Sequence, residues 1–228
     1  MIPPNAPFSD PEAVARYTEM PPRFVPGLDA LHRMATLLLA ERCAADARIL
    51  VLGAGGGLEL KVFATAQPGW RFAGVDPSTE MLALAGRTLG PLAARVDLHA
   101  GYIDTAPPGP FDAATCLLTL HFLPPAARVQ TLAALFARLK PGAPLVVAHH
   151  SFPQAPEEKP VWLSRFAAFA TASGVAAETA QGAAEGIGRQ LPALSPEQDA
   201  ALLADAGFVD VSLFYAALTF RGWVAYRP

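Results

Sequence analysis

At residues 48–57 a short apolar run of β character, Arg-Ile-Leu-Val-Leu, empties into Gly-Ala-Gly-Gly-Gly, and a helical pattern begins near Leu58. This strand-loop-helix unit limits what the chain can become. Glycines at 53, 55 and 57 allow a sharp turn and a close approach of backbone to ligand, and N–H groups at a helix start favour an anionic group. A dinucleotide loop of the form G-x-G-x-x-G would need its third glycine at position 58, which is Leu58, so the spacing here is G-x-G-x-G. A second apolar run, Arg71-Phe-Ala-Gly-Val75, ends in Asp76. An acid at the end of a second strand is placed to bridge ribose hydroxyls, so loop and acid together fit one adenosine. No Gly-Lys-Ser/Thr follows the glycines, which excludes a phosphate-binding P-loop.

The strand-helix rhythm continues beyond this unit. Strands are expected at 48–52, 71–75, 95–99, 112–118 and 144–149, with helices over 58–66, 78–89 and 125–139 between them. Such alternation predicts a parallel sheet covered on both faces. Leu28 to Ala44 repeats apolar residues at helical spacing through Leu31, Met34, Ala35, Leu38 and Leu39, one face of a helix packed on that sheet. Residues 1–27 form an N-terminal arm, Pro-rich to residue 11 and then helical around Glu12 to Met20. After Ser151 the rhythm changes. Residues 152–195 read as an insertion of lid helices whose aromatics, Trp162, Phe166 and Phe169, either anchor it to the core or line a pocket. A helix from Pro196 and two closing strands, Val209 to Tyr215 and Thr219 to Tyr226, complete a single domain over 1–228.

With 52% hydrophobic residues the chain is rich in core, yet no window approaches the ~18 uninterrupted apolar residues of a membrane span. The first ten residues lack a basic stretch followed by an apolar one, so no secretory signal is read and the cytoplasm is the expected location. Cys43 and Cys116 are expected as buried free thiols. A net charge of -3 gives no basic footprint for nucleic acid. The expected partners are a small-molecule substrate and, at most, a second copy of the chain.

The glycine loop and Asp76 resemble those of the class I S-adenosylmethionine (SAM) methyltransferases. Four further segments carry the resemblance in order along the chain: Ala100-Gly-Tyr-Ile103, Phe111 to Leu123, Leu139-Lys-Pro-Gly-Ala-Pro-Leu-Val-Val147 and Ala206-Gly-Phe208. It implies an α/β, Rossmann-like, seven-stranded and mostly parallel sheet with helices on both faces and a small helical lid insertion. It also implies SAM as cofactor, lying across the C-terminal strand ends on Gly53, Ala54, Gly55, Asp76, Pro77, Met81, Tyr102, Ile103 and Leu117. Two positions depart from the pattern. Tyr102 stands where the family often has Asp, and Val51 where many relatives carry an acid inside the first strand.

Arg23-Phe-Val-Pro-Gly27, Leu118-Thr-Leu-His-Phe-Leu123 and Arg221-Gly-Trp-Val-Ala225 are similar to one branch of that superfamily, the carboxy-SAM synthases of tRNA wobble-uridine modification. The branch needs an arginine for its extra carboxylate, and the corresponding position here is Leu202. Arg23 remains a candidate contact for the cofactor carboxylate. The resemblance therefore implies methyl transfer to a small molecule, with carboxy-SAM synthesis and a non-catalytic SAM-binding scaffold as the alternatives. If the acceptor is protonated, His149 at the end of strand five is the expected base, with His121 and His150 nearby. No metal is expected: His149 and His150 are adjacent in a strand and point to opposite faces.

Overall fold

The computed structural model describes residues 18–228. Of the N-terminal arm, residues 18–27 fall within that range, and the helix expected from Glu12 lies mostly outside it. Among the described residues, eight α-helices and seven strands follow in the order α1 (Pro21–Phe24), α2 (Leu28–Ala40), β1 (Arg48–Leu52), α3 (Leu58–Ala66), β2 (Arg71–Asp76), α4 (Thr79–Leu89), β3 (Val96–Ala100), β4 (Ala113–Leu117), α5 (Pro125–Arg138), β5 (Pro144–His150), α6 (Lys159–Ala172), α7 (Ala177–Gln190), α8 (Pro196–Asp205), β6 (Val209–Ala217) and β7 (Phe220–Tyr226). The strands form one sheet ordered β3-β2-β1-β4-β5-β7-β6. Pairings from β3 through β5 are parallel, and β7 runs antiparallel to both β5 and β6. Strand order reverses between β1 and β4, so their C-terminal ends open a crevice there.

Side-chain alternation along the central strands builds two core layers. Ile49, Val51, Ala113, Val146 and Ala148 pack with Leu31, Leu60 and Phe63 on one face, while Leu50, Leu52, Ala114, Leu145 and Val147 pack with Leu132, Leu135 and Leu203 on the other. Burial on both faces explains why these strands read as continuous apolar runs. β4 is one residue shorter at each end than expected; at its C-terminal end Leu118 adopts φ 55°, which leaves the extended region. Cys43 is half-buried and Cys116 buried, both free thiols. Burial holds Cys43 protonated, its pKa pushed up to about 12, with Asp112 adding to the shift.

Of the two roles open to the aromatics of the insertion, Phe166 takes the anchoring one. Phe166 is 2% exposed and meets Phe220, His150 and Phe24, with the Phe24 ring stacked on it at 5.7 Å. Ala170, Ala180 and Ala184 sink into the same core layer, and Gly188 lets α7 approach Leu163, since a Cβ there would stand 2.9 Å from Leu163 Cδ1. The alanine and glycine richness thus serves close helix packing. The aromatic anchor holds α6 down on the sheet, where it buttresses α1, and α7 packs against α6.

Candidate cofactor site

A cavity of about 310 Å³ opens at the crevice between the ends of β1 and β4, a size typical of small-molecule sites. Its walls come from the glycine loop, the end of β2, the turns after β3 and β4, and the faces of α1 and α2 that look inward. Gly53, Ala54, Gly55, Asp76, Pro77, Met81, Tyr102, Ile103 and Leu117 all line it. Arg23 and His149 do not, and no residue of 152–195 does.

The loop is held before any ligand arrives. Gly53 and Ala54 both donate their N–H groups to Val75 O, at 2.8 and 3.0 Å, which fastens the end of β1 to β2. Gly55 N–H donates to Asp76 Oδ2 at 2.9 Å and Ser78 N–H to Asp76 Oδ1 at 3.0 Å. The N–H groups of Gly53, Ala54 and Gly55 are therefore engaged by the protein, and what this part of the loop offers a ligand is backbone surface. Gly53 is demanded by more than the ligand. Its φ is +81°, and a Cβ would stand 1.9 Å from Oγ1 of Thr119, on the turn after β4. Asp76 does not cap α4; that role falls to Ser78, whose Oγ accepts from Met81 N–H at 3.1 Å. Burial raises the Asp76 pKa, against the two backbone hydrogen bonds that favour its charged form.

Two titratable side chains in the wall, His32 and Glu59, were not among the expected site residues. His32, on α2, is 3% exposed with Nε2 unpartnered, and Glu59, in the first turn of α3, is 8% exposed with Oε1 unpartnered. Burial pushes the His32 pKa down to about 4, only partly offset by Asp29, which leaves a neutral imidazole facing the cavity. Among the described residues no lysine or arginine lines the cavity, so its charge balance is acidic.

The strand-five histidines sit elsewhere. His149 is 2% exposed on the α8 side of the sheet, its Nε2 3.2 Å from Asp199 Oδ1, an oxygen that also accepts from Arg128 Nη1 at 2.7 Å. His150 points to the opposite face, stacked on Phe220 at 4.0 Å with Nδ1 3.0 Å from Thr219 Oγ1. His121 Nδ1 accepts from His150 N–H at 3.2 Å. Arg189 is exposed and pairs with Glu185 on its own helix, and Leu202 packs into the core layer beneath α8, so neither reaches the cavity.

Three buried histidines set an acid limit on the fold. Burial depresses the pKa of His32 to about 4 and of His150 to about 3, and pushes His121 well below its ordinary value. Below about pH 6.5 the unfolded chain binds protons that the native state refuses, so stability falls as the pH drops toward these values, by about 1.4 kcal/mol per pH unit for each histidine. Urea unfolding midpoints should decline steeply from pH 6.5 to 4.5, and His32→Asn should flatten the decline by one proton's worth. A flat profile in that window would mean that the histidines are not buried neutral.

Comparison with known proteins agrees with this geometry. Residues 50–145 match the family described as a methyltransferase domain. The chain is 28% identical over 223 residues to a carboxy-S-adenosyl-L-methionine synthase of Chromohalobacter salexigens, covering 96% of this chain and 82% of that protein. Human N-acetylserotonin methyltransferase in complex with SAM superposes with a TM-score of 0.64 at 14% identity, covering 98% of this chain and 58% of the other. PigF with SAH gives 0.66 at 16% identity, covering 98% of this chain and 61% of that one. The chain thus spans about three fifths of the length of each of these two structures.

Proposed function

We propose that this chain is a class I SAM-dependent methyltransferase, with SAM as its cofactor, and that it moves the methyl group of SAM to a small, largely apolar acceptor carrying a hydroxyl or amine. The observation that carries the reading is the division of the cavity: backbone glycines, Asp76, Pro77, Met81 and Ile103 at the β1–β3 side, and Pro21, Leu28, His32, Leu118, Phe122 and Leu123 where α1, α2 and the turn after β4 meet. SAM supplies a methyl group already activated on a positively charged sulfur, so the protein's task is placement of the nucleophile. Asp76 holds the ribose and the Gly53-Ala54-Gly55 backbone lies along the cofactor. His32 orients the acceptor: its uncharged Nε2 takes a hydrogen bond from the acceptor's O–H or N–H. His149, locked beside Asp199 outside the cavity, has no part in this reading.

The second reading, synthesis of carboxy-SAM, is favoured by the 28% identical relative and opposed by the cavity. A carboxylate taken out of water needs a cation or several donors around it, and the described lining supplies no basic side chain. SAM should therefore bind more tightly than carboxy-SAM, by tenfold or more, and prephenate with SAM should yield no carboxy-SAM. Competitive displacement measured by calorimetry checks this, together with mass spectrometry of the products. Displacement of SAM by an equal or lower concentration of carboxy-SAM would move the protein to the carboxyl-transfer branch.

A further inference from the structure

Glu59 is a buried acid for which the fold has no evident use. It sits in the first turn of α3, it is 8% exposed, Oε1 has no partner, and it faces the same cavity as Asp76. The loss of hydration and the charge of Asp76 drive its pKa well above the ordinary carboxylate range, so the ligand-free site holds the group toward its uncharged form, and a cation entering the cavity draws it to the charged one by release of the proton to solvent. A buried carboxylate without a cation is expensive, and a site that keeps one is built for a cation to arrive. Among the described lining residues none supplies that cation, and Val51 on β1 is fully buried in the core and offers no charge.

We infer that Glu59 is the residue that makes this site select the positively charged cofactor over its spent form: its carboxylate offsets the charge of SAM, and its attraction is lost once the methyl group has left. This rests on the proposed function, since it takes SAM as the ligand of the cavity. SAM carries a sulfonium, an ammonium and a carboxylate. S-adenosylhomocysteine keeps the last two and has a neutral thioether, so the two ligands differ by one positive charge at a single atom. In a site shielded from water a carboxylate distinguishes them strongly. The spent cofactor is thereby released more readily than the fresh one is lost, which makes Glu59 a specificity-determining residue of turnover.

The test is Glu59→Gln, which keeps the shape and removes the charge, with SAM and S-adenosylhomocysteine titrated separately into wild type and variant by calorimetry, alongside thermal melts without ligand. The expected result is SAM affinity lowered tenfold or more, S-adenosylhomocysteine affinity lowered less, and a ratio between the two reduced at least fivefold. The ligand-free variant should melt at the same temperature or higher. An acid in a first helical turn can instead serve only the helix, by favouring its positive end. In that case the variant melts lower with SAM affinity unchanged, and the inference fails. Equal weakening of both ligands also overturns it. Failure of the proposed function is separate and visible in the wild type, as an absence of SAM binding.

Discussion

Gly53→Val should abolish measurable cofactor binding, weakening it by more than about 100-fold, or about 2.7 kcal/mol. Two independent effects act at this residue. The backbone φ of +81° is one that a β-branched side chain rarely adopts, at a cost of order 1–3 kcal/mol. The first side-chain atom would also fall 1.9 Å from Thr119 Oγ1 and 2.8 Å from Thr119 Cβ, so the turn after β4 has to move. That turn includes Thr119 and Leu118, both in the cavity wall, and the Thr119 hydroxyl donates to Leu117 O at 2.9 Å, holding the turn to β4. Displacing it opens the wall on the side opposite Asp76. Gly142→Ala is the control: its φ is +76° and nothing lies within 4 Å of the added atom, so it should cost about 1 kcal/mol of stability and leave SAM affinity alone. Equal affinity of Gly53→Val and wild type would show that the loop does not meet the cofactor.

Arg128→Met should destabilise the protein by about 3–5 kcal/mol, the cost of leaving the other half of a buried ion pair uncompensated. Arg128 is fully buried and acts as a three-way brace: Nε donates to Leu123 O at 3.0 Å, Nη1 to Asp199 Oδ1 at 2.7 Å and Nη2 to Pro192 O at 2.5 Å. It ties α5 to α8 and to the end of the insertion. Burial would raise the Asp199 pKa, but His149, Ser151 and Arg128 outweigh it and hold the carboxyl below its ordinary range, so removing the guanidinium strands a charge. Arg128→Met with Asp199→Leu should recover much of the loss, because an apolar pair of similar volume leaves nothing unpaired. Chemical denaturation of both variants measures this. A loss below about 1 kcal/mol in the single variant would mean that the pair is open to water.

The sheet was legible because its central strands β1, β4 and β5 are apolar on both faces and because proline and glycine mark helix ends; Pro125 opens α5, and Gly142 follows Pro141 where the helix-strand turn is made. That Gly53 and Asp76 would come together at one crevice was legible from their place at the ends of β1 and β2. His149 misled because a strand end near a cofactor crevice is a common place for a base. Its parity assigns it to the face of Leu145 and Val147, which α5 and α8 cover, and that argument was available from the alternation. His32 left a trace of the same kind, a polar residue in the helical stripe of Leu28, Leu31, Ala35 and Leu39. Arg128 repeats it beside Thr131, Leu132 and Leu135. Glu59 left none, since acids are ordinary in a first helical turn and only the packing shows that this one is buried. The role of the insertion was equally hidden: whether Phe166 faces a pocket or a core depends on contacts with Phe220 and Phe24 from distant parts of the chain.

Calorimetric titration of SAM into the wild-type protein and into Asp76→Ala shows whether the cavity holds SAM with its ribose on Asp76. One SAM should bind per chain in the wild type, with an affinity lower by about 1.5–3 kcal/mol in the variant, the range for hydrogen bonds to a charged group. A folded wild-type protein that takes up no SAM, or a variant that binds it as tightly as the wild type, would mean that the ribose does not rest on Asp76 in this cavity.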